Sequence, residues 1–450
     1  MVQVFLPDQP LFISVRRIAR KLRDAGFAVF LVGGAVRDLV LGKLPHDLDL
    51  VTSARPDELE KLFPDLRWVG RCFGVSLLTE GEFSFEVATF RNERHYADGR
   101  HPEELHFTSD PAEDVQRRDF TVNALLADPE TGVVYDYVGG LPDLAAGIIR
   151  TVGDPERRFG EDHLRMLRAV RFASANAFRL DDATLQAIVK MSALAAKLPG
   201  ERVRDELEKG FAGTDPARFL DLLRQSGLLE KLLPEVSELI GVEQDPQYHP
   251  EGDVYTHTRL MLSHLRKSDT LLTWSVLLHD IGKAKTTFRD ADGKLHAYNH
   301  EVVGADLVLS LAERLRFSGS LRDRVEKLVR GHMQLAFSRQ MRPAKLRKIL
   351  SEPDFPTALE LHRLDCFCSH GILDNWCFLL DELRRRPDLT VRPKPWVLGR
   401  DLLALGAAPG PALGRLLGEL YERQLAGEFP DRDAALRAAE PRLGDLKKPD

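Results

Sequence analysis

The spacing of apolar residues changes about a third of the way along this 450-residue chain. Before residue 145, short apolar runs rich in β-branched and aromatic residues are bounded by Gly, Asp or Pro, as strands are. Five of these runs are FAVFLVGG, DLDLVT, VSLLTE, FSFEVATF and VVYDYVG. Among them lie segments with apolar residues three and four positions apart, such as LFISVRRIARKLRDAG, which predict amphipathic helices. This alternation predicts a mixed β-sheet with helices.

Beyond residue 145 the apolar spacing is that of helices alone. Examples are GEDHLRMLRAVRFASANA, DDATLQAIVKMSALAAKL and PARFLDLLRQSGLLEKLL. Two stretches rich in proline and charged residues interrupt the pattern, at 241–254 and 384–395. We therefore predict an α+β chain with a mixed-sheet head (1–145), an all-helical neck (146–240), a helical body (241–386) and a helical tail (387–450).

Composition and charge narrow the class of protein. The first residues, MVQVFLPDQP, lack the basic and apolar segments of a signal peptide, and no apolar run approaches the roughly 20 residues of a membrane span. The four cysteines show neither paired CxxC units nor a disulfide framework, which fits a reducing compartment. The formal net charge of −6 argues against a general polyanion binder but leaves room for one basic face. We expect a cytoplasmic protein with no membrane partner.

The stretch LVGGAVRDLVLGKLPHDLDLVT contains the first candidate chemistry. Residues two apart on a strand point the same way, so Asp47 and Asp49 would present two carboxylates on one side. Such oxygens suit Mg²⁺, and paired metal ions can clamp the oxygens of a phosphoryl displacement. Gly33 and Gly34 would let backbone N–H groups approach a triphosphate at a helix N-terminus, and Arg37 could neutralise phosphate charge.

A third carboxylate supports this interpretation of the DxD pair, which alone is more often a cap or a turn. Glu86 lies in FEVATF among apolar residues, where an unpaired charge is costly. The alternative is an edge-strand glutamate that faces water.

Four motifs occur in the order GGAVRDLVLG…HDLDLVT, FEVATFR, RRDFTVNAL and EDHLRMLRAVRF. Together they resemble the class II nucleotidyltransferases, which comprise tRNA nucleotidyltransferases (CCA-adding enzymes) and bacterial poly(A) polymerases. The resemblance covers nearly the whole chain. It implies a nucleotidyltransferase head, a neck that binds nucleobase and RNA, and template-independent addition or repair of the 3′-terminal CCA of tRNA. The implied partners are tRNA, CTP and ATP, with pyrophosphate as the released product and no DNA.

The resemblance also implies roles for individual residues of the head and neck. Asp47 and Asp49 would bind the catalytic Mg²⁺, with Glu86 as the nearby carboxylate. The other implied nucleotide-binding residues, besides Gly33, Gly34 and Arg37, are Arg118, Asp119 and Asn123 for ribose and triphosphate, and Asp162, Arg165 and Arg168 for base recognition. Asp119 has the alternative of capping a helix that starts at FTVNALL.

Base recognition is implied for Asp162 and Arg165, which are three residues apart. On one helix they would share a face and offer an acceptor and a donor to the edge of C or A. The alternative is that Glu161, Asp162, Arg165 and Arg168 form ordinary surface ion pairs.

The choice within the family depends on two segments. VGRCFGVSLLTEG resembles the tRNA-specific GxxFGV pattern rather than the poly(A) polymerase pattern. The segment between FEVATF and RRD is a full-length, flexible loop containing Asp98 and Arg100, which favours competence for the terminal A. CCA addition, addition of A alone and poly(A) synthesis stay open.

A separate pattern in the body, with HPEGDVYTHT, LLHDIGK, NHEVVGA, RGHM and LHRLDCFCSHG, resembles the HD phosphohydrolase superfamily. The residues that match its metal ligands are His257, His279, Asp280 and Asp365, with His300 and His332 where two-metal members have additional histidines. Imidazole with carboxylate suits Mn, Fe, Ni or Zn, and with water Mg. This domain is either a phosphohydrolase, which could be the dominant activity, or a helical scaffold for tRNA. Cys366, Cys368 and Cys377 lie near Asp365, but a lone CxC is more typical of buried helix cysteines.

Overall fold

The computed structural model describes residues 2–96, 102–265, 269–387 and 393–442. The chain divides into two compact units, Met1–Ser237 and Glu238–Asp450. In the described part of the chain, no helix combines the length and apolarity needed to cross a membrane.

Within the described residues, the first unit contains one sheet of seven strands in the order β3-β4-β5-β2-β1-β8-β9. Its strands are β1 (Val29–Val32), β2 (Asp49–Thr52), β3 (Arg67–Gly70), β4 (Val75–Glu80), β5 (Phe83–Thr89), β8 (Leu126–Ala127) and β9 (Val134–Tyr135). The β2–β5 pair is parallel and the other pairs are antiparallel. The predicted mixed sheet is therefore confirmed, and all five predicted runs contain strand residues.

Helices surround this sheet and continue into the second half of the unit. They are α1 (Pro10–Asp24), α2 (Gly34–Val40), α3 (Pro56–Leu62), α4 (Pro111–Gln116), α5 (Gly140–Ala146), α6 (Pro155–Glu161), α7 (Leu164–Ala175), α8 (Asp182–Met191), α9 (Gly200–Phe211), α10 (Pro216–Gln225), α11 (Leu228–Leu232) and α12 (Pro234–Ser237). In helix α1, Pro10 occupies the first turn, apolar residues from Phe12 to Leu22 are buried, and Gly26 turns the chain with φ +89°.

Part of the predicted flexible loop has regular structure. Strands β6 (Arg91–Tyr96) and β7 (Pro102–Phe107) form an antiparallel ladder, and α4 follows. Their sequences, RNERHY and PEELHF, lack an apolar face, so the pattern gave no strand signal. Asp98 and Arg100 lie outside the described residues.

The second unit is mainly helical. Its helices are α13 (Val254–Ser263), α14 (Thr270–Leu278), α15 (Lys283–Thr286), α16 (His300–Arg314), α17 (Gly319–Gly331), α18 (Pro343–Leu350), α19 (Phe355–Cys368), α20 (Asp374–Arg385), α21 (Gly399–Ala404), α22 (Pro411–Leu425) and α23 (Arg432–Ala439). All residues of α14 from Leu271 to Leu278 are buried, as expected for a helix that is apolar on every side. This central helix delivers His279 and Asp280 to the interior of the unit.

Two short strand pairs interrupt the predicted all-helical region. β10 (Ile148–Ile149) pairs with β11 (Arg179–Leu180), and β12 (Phe288–Arg289) pairs with β13 (Leu295–His296). Each strand has two residues, which is too short for a periodic signal. The β12–β13 turn forms because the Asp290 side chain accepts the N–H groups of Asp292 and Lys294.

Candidate active sites in the two units

The acidic site of the first unit lies at the start of β2. Asp47 and Asp49 are exposed, while Leu48 and Leu50 between and after them are buried. Asp47 precedes the strand rather than belonging to it, since β2 starts at Asp49. The alternation nevertheless extends back to Asp47, so both carboxylates face the same side, as predicted.

The register of the parallel pair brings Glu86 to this site. Leu50 of β2 pairs with Val87 of β5, which sets Asp49 beside Glu86. Asp49 is accessible to solvent, but the protein atoms around its carboxylate displace part of its water. This desolvation, Glu86 and Asp47 together raise the pKa of Asp49 to about 6, against the opposing charge of Arg118. An excess of negative charge thus accumulates at one sheet edge, and these oxygen donors fit a divalent cation. The three carboxylates do not form a closed ligand set, because the described groups with all ligand atoms within 4.8 Å of one another lie in the second unit.

The glycine turn leaves space above the end of β1. Gly33 has φ +72°, a conformation that L side chains rarely adopt, and a Cβ placed there would meet no atom within 4 Å. Gly34 begins α2, so the predicted glycine turn and helix are present. Their contact with a triphosphate stays a prediction.

Arg37 and Asn123 are bound to each other rather than presented to solvent. The Arg37 Nη1 donates to Asn123 Oδ1 at 2.7 Å, and its Nη2 pairs with Asp38 at 2.9 Å. Both residues are buried, and the guanidinium lies over the Phe172 ring. These contacts favour a positioning role for Arg37, with direct phosphate contact still a prediction.

Arg118 and Asp119 of RRDFTVNAL each form an ion pair, Arg118 with a residue nearby in sequence and Asp119 with a distant one. Arg118 donates to Asp114 at 2.8 Å, and Arg168 donates to Asp119 at 2.7 Å. The segment after Asp119 forms a 3₁₀ turn at Thr121–Asn123 whose N-cap is Phe120, so the helix-capping alternative for Asp119 is wrong. Its Oδ1 instead accepts the N–H of Phe120. The 3₁₀ turn ends at Asn123, and strand β8 begins three residues later, at Leu126.

Asp114 is a residue that the sequence analysis missed. It is almost fully buried and accepts hydrogen bonds from Arg117 and Arg118. The sequence did contain a signal for it: Asp114 precedes Arg117 by three residues and Arg118 by four, which is the spacing of ion pairs on a helix. Asp114 fixes the direction of Arg118 toward the acidic edge.

The predicted base-recognition pair does not share a helical face, which corrects the sequence-based prediction. Helix α6 ends at Glu161, Asp162 is extended with φ −143°, and α7 starts at Leu164. Asp162 Oδ1 accepts the Leu164 N–H at 3.0 Å, and Oδ2 pairs with Arg202 at 3.1 Å. The break between the two helices lets the Asp162 side chain cap α7 at Leu164 and also pair with Arg202.

Arg165 joins a buried network instead of an exposed one. Its Nη1 lies 2.8 Å from Glu161 Oε2, and Arg158 lies 2.7 Å from the same oxygen. Glu161 and Arg158 are buried, so the surface-ion-pair alternative is wrong for this group. Arg168, between Asp119 and Glu206, connects the head segment to α9 within the first unit.

In the second unit, six predicted metal ligands converge. His257, His279 and Asp365 form one group with ligand atoms within 4.8 Å of one another, and Asp280, His300 and His332 form another. The two groups meet where His279 Nε2 lies 3.2 Å from Asp280 Oδ2. We call these six residues the HD cluster.

The histidines of the HD cluster share one orientation. The Nδ1 atoms of His279, His300 and His332 lie 2.6–2.9 Å from the carbonyl oxygens of Val276, Ala297 and Val329. Nδ1–H therefore donates outward, and Nε2 keeps its lone pair for the centre. His257 Nε2, His279 Nε2 and both Asp280 oxygens are buried and make no hydrogen bond of good geometry, although Lys283 Nζ lies 2.7 Å from Asp280 Oδ2. Buried imidazole nitrogens and carboxylate oxygens that face one another in this way fit a divalent cation.

Charge in the HD cluster supports the same conclusion. Burial opposes protonation of His257, but Asp365 and Glu251 outweigh it and raise the pKa of His257 to about 9. Burial and the charge of His279 lower the pKa of His332 to about 4, which keeps this imidazole neutral. The cluster thus holds a positive charge between its carboxylates and a neutral imidazole donor beside them.

Three neighbours of the HD cluster were missed. Glu251 Oε1 lies 2.6 Å from His257 Nδ1 and 2.9 Å from His249 Nδ1, and Lys283 Nζ lies 2.7 Å from Asp280. HPEGD and HDIGK contain them, but nothing in their spacing separates supporting residues from solvated ones.

Cys366 and Cys368 are buried on α19, where burial and Asp365 raise the pKa of each thiol to about 12. They are therefore protonated, whereas Cys377 is exposed.

Comparison with known proteins places these sites in a family. The head-domain model of poly A polymerase matches residues 29–150, the model described as a probable RNA and SrmB-binding site of polymerase A matches 177–240, and the HD domain model matches 251–354. The CCA-adding enzyme of Levilactobacillus brevis is 33% identical over 96% of this chain and 98% of its own length. The chain belongs to the CCA-adding enzyme family.

Other relatives agree with this membership. The multifunctional CCA protein of Nitrosococcus oceani is 36% identical over 88% of this chain and 95% of its own length. The crystal structure of the Bacillus stearothermophilus CCA-adding enzyme in complex with CTP superposes with a TM-score of 0.73 and 26% identity, over 97% of this chain and 100% of that one. The CCA-adding enzyme family thus accounts for the head, the neck and the body together.

The buried aspartates of the head make its stability depend on pH. Arg117 and Arg118 outweigh burial at Asp114, and Arg168 does so at Asp119, so both pKa values are lowered. A lowered pKa in the folded state stabilises the fold above the unfolded value of about 4, and this stability is lost as pH falls through the folded pKa. We expect the urea concentration at the unfolding midpoint of the full chain to decrease when the pH is lowered from about 5 to about 3. These two pH values bracket the pKa of an aspartate in the unfolded chain, which is about 4. Asp119→Asn should lose less over this interval than the unaltered chain, and equal losses would contradict the assignment.

Proposed function

We propose that this chain is a template-independent tRNA nucleotidyltransferase that adds or repairs the 3′-terminal CCA of tRNA from CTP and ATP. The observation that carries the proposal is the acidic edge of Asp47, Asp49 and Glu86, where desolvation of the carboxylate and the charges of Glu86 and Asp47 raise the pKa of Asp49 to about 6. Structures of related CCA-adding enzymes include a complex with CTP and a complex with tRNA, which is consistent with these substrates. Because tRNA is the substrate, we expect the protein to act in the cytoplasm.

In the proposed reaction the tRNA 3′ oxygen forms a bond to the α-phosphorus of CTP or ATP. The bond to the bridging oxygen breaks, and pyrophosphate leaves. Asp47 and Asp49 would hold Mg²⁺, which supplies charge neutralisation at the phosphate when bound. Arg118, held by Asp114, faces the acidic edge and pairs with phosphate oxygens. Asp119 accepts hydrogen bonds from ribose hydroxyls with its direction fixed by Arg168.

A direct experiment offers a tRNA transcript without CCA to the purified protein with radiolabelled CTP and ATP. We expect Mg²⁺-dependent incorporation into tRNA and release of one pyrophosphate per nucleotide. A protein that binds tRNA and incorporates nothing would contradict the proposal and leave an RNA-binding protein.

Base choice is the proposed task of Asp162 and Arg165. We expect Asp162→Ala and Arg165→Ala to lower the preference for C and A over U and G by roughly tenfold, the effect of one lost hydrogen bond to a charged group. The KM for the triphosphate should change less, because these residues are not proposed to contact phosphate. Relative incorporation from the four nucleotides measures the effect.

A matched control is Arg157→Ala, because Arg157 is exposed and pairs with the same Glu161. It should leave base choice unchanged. If both Asp162→Ala and Arg165→Ala keep the unaltered preference, the base-recognition role is wrong.

The HD cluster favours a second function, a divalent-metal phosphohydrolase. Its support is the set of buried imidazole nitrogens and carboxylate oxygens on His257, His279 and Asp280 that face one another. A bound Mn²⁺, Ni²⁺ or Mg²⁺ would supply Lewis acidity to a phosphate ester, and Lys283 would pair with its charge. Release of phosphate from 2′-phosphorylated nucleotides, or ring opening of 2′,3′-cyclic nucleotides, tests this function. Addition of A alone and poly(A) synthesis are the alternative activities of the head.

A further inference from the structure

Three aromatic rings lie on and beside the β12–β13 hairpin. Phe288 and His296 are directly opposite each other across the two strands, with ring centroids 5.5 Å apart. Tyr298 stacks on His296 at 5.0 Å with an interplanar angle of 22°, and lies 5.9 Å from Phe288. We call these three residues the aromatic platform.

The aromatic platform is fixed in place but open to solvent. The His296 ring is held by a hydrogen bond between its Nε2 and Asp290 Oδ2, which lie 2.6 Å apart. Phe288 is 48% exposed and Tyr298 is 64% exposed. Cross-strand pairing accounts for Phe288 and His296, since such pairs stabilise a hairpin. It does not account for Tyr298, which lies beyond the last paired residue.

Both ends of the hairpin are tied to the HD cluster. Tyr298 is two residues from His300, a separation that spans at most about 7 Å of backbone. The carbonyl of Ala297, between His296 and Tyr298, accepts His300 Nδ1–H at 2.8 Å. At the other end, Phe288 follows the short helix α15, whose Lys283 contacts Asp280. The aromatic platform is therefore joined to the HD cluster by a short chain segment at each end of the hairpin.

We propose that the aromatic platform stacks the base of a ribonucleoside monophosphate, open or cyclic, whose phosphate lies at the HD cluster. Each base has a π-face, so stacking on exposed rings binds nucleotides without selecting a sequence. Lys283, which contacts Asp280 of the HD cluster, would supply a positive charge for the phosphate. This inference rests on the proposed phosphohydrolase function and adds the residues that would hold the base of its nucleotide substrate.

The test compares adenosine 2′-phosphate with inorganic phosphate, using calorimetry on the full chain loaded with Mn²⁺. Where the nucleotide turns over, KM replaces Kd. We expect Tyr298→Leu and Phe288→Leu to weaken adenosine 2′-phosphate about tenfold, a typical effect of one lost stacking contact. Inorganic phosphate should bind within twofold of the unaltered chain. Tyr298→Phe, which keeps the ring, should restore nucleotide affinity, and Phe5→Leu controls for loss of an exposed ring elsewhere.

The outcomes separate the platform from the phosphohydrolase function. Unchanged affinity for adenosine 2′-phosphate in both leucine variants would overturn the platform while leaving the metal site intact. An equal loss for inorganic phosphate would also overturn it, since the rings would then act only on the shape of the HD cluster. Failure of the phosphohydrolase function appears instead as absence of Mn²⁺ uptake or of turnover by the unaltered chain.

Discussion

Asp47→Asn and Asp49→Asn are each expected to lower the rate of nucleotide addition by roughly a thousandfold or more, because a metal-held phosphoryl centre contributes several kcal/mol. Both carboxylates face the same side at the start of β2, and Leu48 between them is buried. Asparagine keeps the size of each side chain but removes the charge that a divalent cation requires. Single-turnover incorporation of CTP into a tRNA transcript measures the effect.

The stability of Asp49→Asn provides the folding control. Because the pKa of Asp49 is raised to about 6, its ionised form is less favourable in the folded chain than in the unfolded chain. The protonated Asp49 therefore adds to the free energy of unfolding below a pH of about 4, the pKa of an aspartate in the unfolded chain. This contribution is lost as the pH rises through about 6. Without Mg²⁺ at pH 7, Asp49→Asn should therefore unfold at a higher urea concentration than the unaltered chain. A stable variant with undiminished addition would show that Asp49 is not a metal ligand.

Asp280→Asn is expected to abolish phosphate release by the second unit while nucleotide addition stays within twofold of the unaltered rate. Asp280 has both oxygens in the HD cluster: Oδ2 lies 3.2 Å from His279 Nε2, and Oδ1 lies 3.3 Å from His300 Nε2. Loss of its charge takes away the carboxylate of the group formed with His300 and His332, so we expect hydrolysis to fall on the order of a thousandfold. Metal content after dialysis against Mn²⁺ or Ni²⁺ should fall with it.

The matched control for this substitution is Asp381→Asn, an exposed aspartate on α20 that belongs to no cluster. It should retain metal and activity. Hydrolysis that survives in Asp280→Asn would contradict the assignment of the HD cluster. An unaltered chain that adds nucleotides but releases no phosphate with Mn²⁺, Ni²⁺ or Mg²⁺ would leave this unit as a scaffold.

The sequence predicted the parts of the sites that depend on local periodicity. Alternation alone brings Asp47 and Asp49 to one side of β2, and the apolar helix α14 ends at His279 and Asp280. These features follow from the strand and helix periods, which one chain segment contains in full. The candidate ligands of the HD cluster were likewise predicted in full, by resemblance, and the structure brings them together.

Features that depend on distant contacts were not predictable in the same way. The spacing of Asp162 and Arg165 is compatible with one helix, but Arg202 and the Leu164 N–H hold Asp162 in an extended link. Arg168 and Asp119 are 49 residues apart in sequence, so no local pattern could pair them. The β12–β13 hairpin is fixed by the side chain of Asp290, which competes with helix formation in a segment too short to show a period.

The most direct test of the proposed function uses three tRNA transcripts that end at the discriminator base, at C and at CC. Each is incubated with Mg²⁺ and with CTP, ATP or both, and the products are sequenced. We predict that the first gains CCA, the second CA and the third A, after which addition stops. Extension of the CC transcript alone would mean an A-adding enzyme, and a long A tail would mean a poly(A) polymerase; either result would contradict CCA addition by this chain.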